Sequence, residues 1–487
     1  MRLPPWLWRV CRSKWTKRLL IASPFLLMTA IGGFYGIANW WGRQCLEREA
    51  AAMKADGLPT TFEELFGPVP PAADDVFQHP AIRAELVKQD DTDLKNLGGM
   101  SISGLKKGLD WEPKPDLGKL GDVRLLVDPP QPTKAEAEVA REILVLIETP
   151  SREFDACVEG LRRPTCHWGL NTNELTGRCL RLLKLMQFSV DRARLHLVAG
   201  HSDLAAQDLK TAMEIRSRLG GPKSSFLAFV CSVFGERDIA HAVWEGVARR
   251  AWSEPQLADF RSQLEEVNCR RALHEAVPTE WIYMKAVLGE LPAGYRTGRE
   301  WEEIGPDFFE AGKNRDTLEM KRLAVEAWDK AKPLGLKMRE RVEDMSRMRE
   351  WYLRFQRSNR IPEISDFNEW DFFESAEVFT HAIRAVQTQR DLLMCGIALE
   401  RYRLRYGRSS ERLDQLVPEF LPEVPKDICD GQPLRYQLLP DGAPHVWSLW
   451  PSGKDEGGMP NDSQKKGNAV WTTGQIPGLT EAVYDKR

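Results

Sequence analysis

The sequence lacks most of the marks by which enzymes can be recognised from residue order. Its nine cysteines form no C-x-x-C, so neither a zinc framework nor a thioredoxin-type motif is indicated. There is no G-x-S-x-G, no Walker loop and no G-x-G-x-x-G, so the motif-borne routes to hydrolysis and nucleotide binding are unrepresented. Eight histidines are scattered along the chain. The nearest to a ligand pair, His196 with His201, lies across a turn and lacks the i, i+4 spacing that places two imidazoles on one helix face. Charge of one sign is lacking too. The 68 basic and 71 acidic side chains leave a net charge of −3, which removes the footprint of a general nucleic-acid binder. Long hydrophobic runs are absent, with one exception.

That exception is LLIASPFLLMTAIGGFYGIANWW, Leu19 to Trp41, which carries no charge. As a helix of about 23 residues it would span about 34 Å, enough for one membrane crossing. Trp6, Trp8 and Trp15 precede it and Trp40 and Trp41 close it, as interfacial anchors do. Arg2, Arg9, Arg12, Lys14, Lys17 and Arg18 form an acid-free arm before it, and the flank after it is mixed. The positive-inside rule then keeps residues 1–18 in the cytoplasm and exports everything after Trp41, an inner-membrane, single-pass arrangement. A cleaved signal peptide with a small-x-small site at Ala30-Ile31-Gly32 is the competing reading. Apolar residues continuing through Phe34, Tyr35 and Ile37 to the Trp pair oppose it. Gly32 and Gly36 make a G-x-x-x-G through which two copies could approach as a homodimer.

At 487 residues and 42% apolar, the chain can build more than one folded unit. Residues 42–56 read as a juxtamembrane helix stopped by Gly57 and Pro59. Residues 57–134 are broken by proline and glycine into a linker with short elements, Phe62 to Leu65 forming a turn. From residue 135 to 360 apolar residues recur at helical spacing, which predicts an irregular helical domain. Within it, Thr176 to Ala199 and Leu204 to Leu219 flank Gly200-His201-Ser202-Asp203, predicting a tetratricopeptide-like hairpin whose second helix Ser202 or Asp203 caps. Helices follow at 225–251, 254–273, 279–290 and 317–355, the last broken at Pro333-Leu334-Gly335. The fold class is therefore mainly α, with a transmembrane helix, a helical middle and a small α+β end.

That end, residues 375–487, has the most specific residue order. A helix from about Ser375 to Tyr406 ends in Ala398-Leu399-Glu400-Arg401-Tyr402 and Gly407. Leu413, Leu416, Pro425-Lys426-Asp427, Gly431, Pro433-Leu434-Arg435-Tyr436, Ser448 and Gly453-Lys454-Asp455 follow. Leu434 to Leu438 and His445 to Trp450 read as two strands joined at Pro440-Asp441-Gly442. This series resembles the C-terminal part of the major pseudopilins of type II secretion systems. The helix here is internal and carries Arg384, Arg390 and Asp391, so the filament role does not transfer. The whole layout is similar to bacterial membrane-anchored proteins without an assigned activity. In pseudopilins the loop after the last strands binds calcium, and the resemblance makes Asp455, Glu456 and Asp462 the candidate ligands. Ser452 and Asn468 stand where acids are often found, so the donors fall short of the six or more oxygens calcium takes, and a solvated loop is the expectation.

Other chemistry is sparse. Cys157 and Cys166 flank VEGLRRPT and either close a short disulfide loop or stay free; Cys179, Cys231 and Cys395 read as buried thiols. His241 and Glu245 share a helix face, as a buried pair does. The expected function is a non-enzymatic, membrane-tethered envelope scaffold that binds another protein, with no cofactor and no nucleic acid. The alternatives are an exported hydrolase or sensor with a pocket in residues 176–290, or an accessory of a secretion system.

Overall fold

Helical spacing dominates the sequence, and the computed structural model of the protein is mainly helical with one three-stranded sheet. It describes residues 14–84, 134–221, 224–266, 269–290, 310–311, 313, 317–358, 376–460 and 467–473. The helices are α1 (Lys14–Ala55), α2 (Phe62–Phe66), α3 (Lys134–Leu146), α4 (Glu148–Leu161), α5 (Thr172–Ala199), α6 (Ser202–Leu219), α7 (Phe226–Ala248), α8 (Glu254–Glu266), α9 (Cys269–Glu290), α10 (Thr317–Ala331), α11 (Leu334–Ser358) and α12 (Ala376–Tyr406). The strands are β1 (Arg435–Leu438), β2 (Pro444–Pro451) and β3 (Asn468–Thr472). They divide into two compact units, Met1–Thr60 with Trp281–Trp351, and Thr61–Glu280 with Tyr352–Arg487.

In the first unit α1 runs unbroken through 42 residues. It ends where Gly57 adopts a left-handed φ of 74°, its N–H bonding back to Lys54 O, the role glycine fills after a helix. Helix α11 runs parallel to the second half of α1. The two meet at glycines: a Cβ on Gly42 would stand 2.3 Å from Gly335 O, and one on Gly335 would stand 1.9 Å from Ala38 O. Gly335 N donates to Asn39 Oδ1 at 2.8 Å. Further along, Ser346 Oγ and Arg349 Nε donate to Glu49 at 2.6 and 2.7 Å, and Arg349 also reaches Asp56. The break between α10 and α11 falls at Lys332-Pro333, as proline at a helix start favours. Among the described residues no helix is long and apolar enough to cross a membrane. The expected span Leu19 to Trp41 lies wholly in α1, but the side chains of residues 19–25 and 27 are outside those described.

The second unit is built around the α5–α6 hairpin, on which α7 packs from one side. Gly200 takes the left-handed conformation, φ 85°, and His201 N bonds back to His196 O at 2.8 Å, closing α5. Ala205 and Ala206 are buried, which lets the two helices approach. The expected cap is not there. His201 occupies the N-cap without a side-chain capping bond, and Asp203 instead accepts from Gln256 Nε2, because the helix starts at Ser202 and leaves Asp203 inside its first turn. Helix α12 packs on α7 and α8 and carries the antiparallel sheet, order β1-β2-β3, on its other side. Gly396 makes this possible: a Cβ there would stand 2.2 Å from the Trp471 ring. Strand β3 was not among the two expected strands; it pairs with β2 from His445↔Thr472 to Ser448↔Ala469. The expected short element at Phe62 is the helix α2, capped by Thr61 Oγ1.

Charge pairs fix the second unit from within. Glu236 on α7 accepts from Arg216 of α6 at 2.9 Å and lies 3.6 Å from Arg390 of α12. Both guanidinium groups also donate to main-chain carbonyls near the end of α8, at Gln263 and Leu264. Arg216 is fully buried. Removing one partner from a buried ionic group leaves the others uncompensated, at a cost of about 3–5 kcal/mol. Glu236→Ala should therefore lower the urea midpoint of the purified chain strongly; a midpoint within error of the parent would show that the three groups carry no such load.

Candidate functional site

The loop after β2 holds the residues that sequence order singles out. Gly453, Gly457 and Gly458 all have positive φ, between 67° and 73°, so the chain turns tightly between Pro451 and Pro460. Asn468, buried at the start of β3, organises that turn. Its Oδ1 accepts from Glu456 N at 3.0 Å and Gly458 N at 3.3 Å, and its Nδ2 donates to Lys454 O at 2.8 Å. Asp455 Oδ1 accepts from Trp447 Nε1 and from Gly457 N, both at 3.0 Å. Asp455 and Glu456 are thus adjacent in one loop, with an Asp455 oxygen already engaged; Asp462 lies outside the described residues. Among the described residues no three His, Cys, Asp or Glu side chains gather into a set that could hold a metal ion. Ser452 Oγ accepts from Lys454 N at 3.2 Å and so belongs to the turn itself.

Beside this loop sits a residue that sequence reasoning passed over in its role. Asp427 is buried, and four groups converge on its carboxylate. Oδ1 accepts from Ser448 Oγ at 3.0 Å and Cys429 N at 2.9 Å; Oδ2 accepts from Leu449 N at 2.7 Å and from the Arg435 guanidinium. Its signal in the sequence was only its place in the Pro-Lys-Asp step. Here it joins the loop before β1 to the backbone of β2.

In residues 176–290 several titratable groups form local pairs, while burial alone raises the Glu280 carboxyl to about 7. Glu245 accepts from Arg194 at 2.9 Å and from Arg249 at 2.9 Å. Burial alone would raise its pKa, and the two guanidinium groups outweigh this and hold it low. Asp208 accepts from Arg192 at 2.6 and 2.9 Å, and Arg192 also reaches Asp155. His196 and His201 come within 3.5 Å through their Nδ1 atoms, but His196 Nε2 is 3.9 Å from Asp208, beyond hydrogen-bond reach. His241 shares its helix with Glu245, and its Nε2 has no hydrogen-bond partner among the described residues. Cys157 and Cys166 are not joined in a disulfide: Cys157 is buried on α4, while Cys166 turns toward Arg218, 3.8 Å away. Cys166 and His167 do not act together, since His167 Nδ1 accepts from Gly169 N.

No protein-family model, no curated protein and no solved structure matches the chain.

Three imidazoles, His241 and His445 buried and His196 half-buried, contribute to the acid response. Burial pushes His196 and His445 down to about 4 and His241 to about 3, from an ordinary 6.5. The unfolded chain takes up these protons as pH falls through 6.5, whereas the folded chain refuses them until about pH 4. Their contribution to stability is therefore complete above 6.5 and is lost between about 6.5 and 4. His445 is fully buried with the Gly458 backbone against its ring, and burial outweighs that contact, so His445→Phe removes a titrating group from the site. The gap between urea midpoints at pH 7.5 and pH 5 should narrow in this variant; an unchanged gap would mean that His445 is not refused its proton.

Proposed function

We propose that the protein is a non-enzymatic scaffold, held in a membrane by α1, that presents its helical hairpins and α+β end to another protein outside the cytoplasm. The observation that carries the anchor is the exposure of residues 28–37 of α1 on every side. Residues nine apart on a helix face opposite ways. Met28 and Ile37 are 70% and 69% exposed, and Ile31 and Trp40 are 49% and 63% exposed, two such opposed pairs. A partner helix would cover only one stripe of this surface, whereas lipid covers all of it. A Cβ on Gly32 or Gly36 would meet nothing within 4 Å, which leaves that face open to lipid or to a second copy.

The scaffold reading draws its support from the middle of the chain. Arg192, Arg194, Arg216 and Arg249 spend their charge on neighbouring acids, and the acids on them, so these groups stabilise helix contacts. The α5–α6 hairpin, with its close approach at Ala205 and Ala206, is of the tetratricopeptide kind, a form suited to binding protein segments. The order of residues 398–455 supports a pseudopilin-like end.

A two-compartment reporter fused after Arg487, together with alkaline extraction of membranes, tests the anchor. The reporter should be active only outside the cytoplasm and the chain should stay in the pellet; a cytoplasmic signal, or a mature N-terminus beginning after Gly32, overturns it. The binding half is tested separately. A photoreactive residue at Val145, which stands exposed at the end of α3, should give a discrete crosslinked product in cells. Crosslinks confined to water and lipid at Val145 and at Leu204 on α6 would count against a protein partner.

A further inference from the structure

The turn between α5 and α6 brings together two imidazoles that lie five residues apart in the chain. His196 sits in the last turn of α5, and His201 directly precedes Ser202, the first residue of α6. Gly200 reverses the chain between them in the left-handed conformation. Its N–H and that of His201 bond back to Leu197 O and His196 O at 3.1 and 2.8 Å, so the helix end itself fixes the main chain that carries both rings. The Nδ1 atoms stand 3.5 Å apart, while the ring centroids are 5.7 Å apart and the ring planes are inclined at 50°. The two nitrogens thus lie between the rings and point at one another, at the exposed surface.

A direct hydrogen bond would draw these nitrogens to about 3 Å. Two nitrogens held on one zinc ion at about 2.0–2.1 Å, at the tetrahedral angle, stand about 3.3 Å apart. The right angle of a square-planar ion would bring them to about 2.9 Å, so the spacing favours a tetrahedral ion. Both Nδ1 atoms must then be bare, with the protons on Nε2. For His196 that tautomer is favoured by Asp208, whose carboxylate stands 3.9 Å from Nε2, the place a supporting carboxylate takes behind a ligating imidazole. Arg192, the cation beside it, is paired to Asp208 and Asp155. Among the described residues no third His, Cys, Asp or Glu joins the pair, which leaves two of four positions to water.

We infer that the α5–α6 turn binds a zinc ion through Nδ1 of His196 and Nδ1 of His201, with water in the other two positions. The turn supplies what spacing along one helix does not. The site stands whether or not α1 crosses a membrane.

The test uses the full chain in detergent micelles at pH 7.5, with Zn2+ as the only added metal. Competition with a chromophoric chelator measures binding, and acylation by diethylpyrocarbonate locates it. Zinc on Nδ1 leaves the proton on Nε2, so a bound imidazole has no lone pair to acylate. One tryptic peptide, Leu195–Lys210, carries both histidines. Zn2+ should slow acylation of that peptide several-fold in the parent chain. His201 is exposed and makes no capping bond, so His201→Gln keeps the fold. Loss of a supporting partner alone costs about 10–100-fold in metal affinity, and loss of a ligand should weaken Zn2+ binding by about tenfold or more. Acylation of the peptide at the same rate with and without Zn2+ would overturn the inference, whatever the variant does. Equal Zn2+ affinity in the parent and His201→Gln would overturn it as well.

Discussion

The second unit depends on one acid. Glu236 is buried in a helix bundle where a lone carboxylate would be costly to keep charged, and it is kept by two guanidinium groups from two different helices. Those guanidinium groups also close the main chain at the end of α8, where the last carbonyls of a helix have no partners of their own. Four helices, α6, α7, α8 and α12, therefore meet at a single charge. The arrangement explains why α12 carries Arg390 beside the fully buried Leu392 and Leu393. One of the charged residues that make α12 unsuitable as a membrane segment, with Arg384 and Asp391, thus attaches it to the bundle.

A different constraint governs the first unit. Gly42 and Gly335 allow α1 and α11 to touch through their backbones, and every polar contact between them, Asn39 to Gly335, Glu49 to Ser346 and Arg349, follows from that register. Glycine costs a helix conformational entropy, so two of them opposite each other are retained where close approach compensates. The contact begins at Ala38 and not earlier. Just before it, the described residues 28–37 of α1 are exposed and mostly apolar, and the proposed anchor rests on that exposure.

Much of this was legible in the sequence, where a single periodicity decided the outcome. The helices of residues 172–219, the stop at Gly200, the break at Pro333 and the cap at Gly407 all follow from spacing and from glycine or proline chemistry. Legibility failed where partners lie far apart in the chain. Ala-Val-Trp at 469–471 is too short to declare itself a strand, and becomes one because β2 offers an edge and Gly396 offers room for the Trp471 ring. Asp203 has the right chemistry for a cap, but His201 takes that place. Arg216 and Glu236 look like ordinary surface charges in their own helices, and only the assembled bundle buries them. For the candidate loop, sequence order put Asp455 and Glu456 after β2 but could not show that Asn468 and Trp447 bond to it.

The residues that carry the pseudopilin-like order have work to do in this fold apart from any ligand. Asp427 ties the loop before β1 to Ser448 and Leu449; Tyr436 donates to Ser410 O; Gly431 and Gly453 supply left-handed turns. Asp455 receives an indole N–H, and Asn468, where an acid is often found, supplies both an acceptor and a donor to the loop backbone. A carboxylate at 468 could accept from Glu456 and Gly458 but could not donate to Lys454 O. The amide therefore does within the protein what an acid could do only in part.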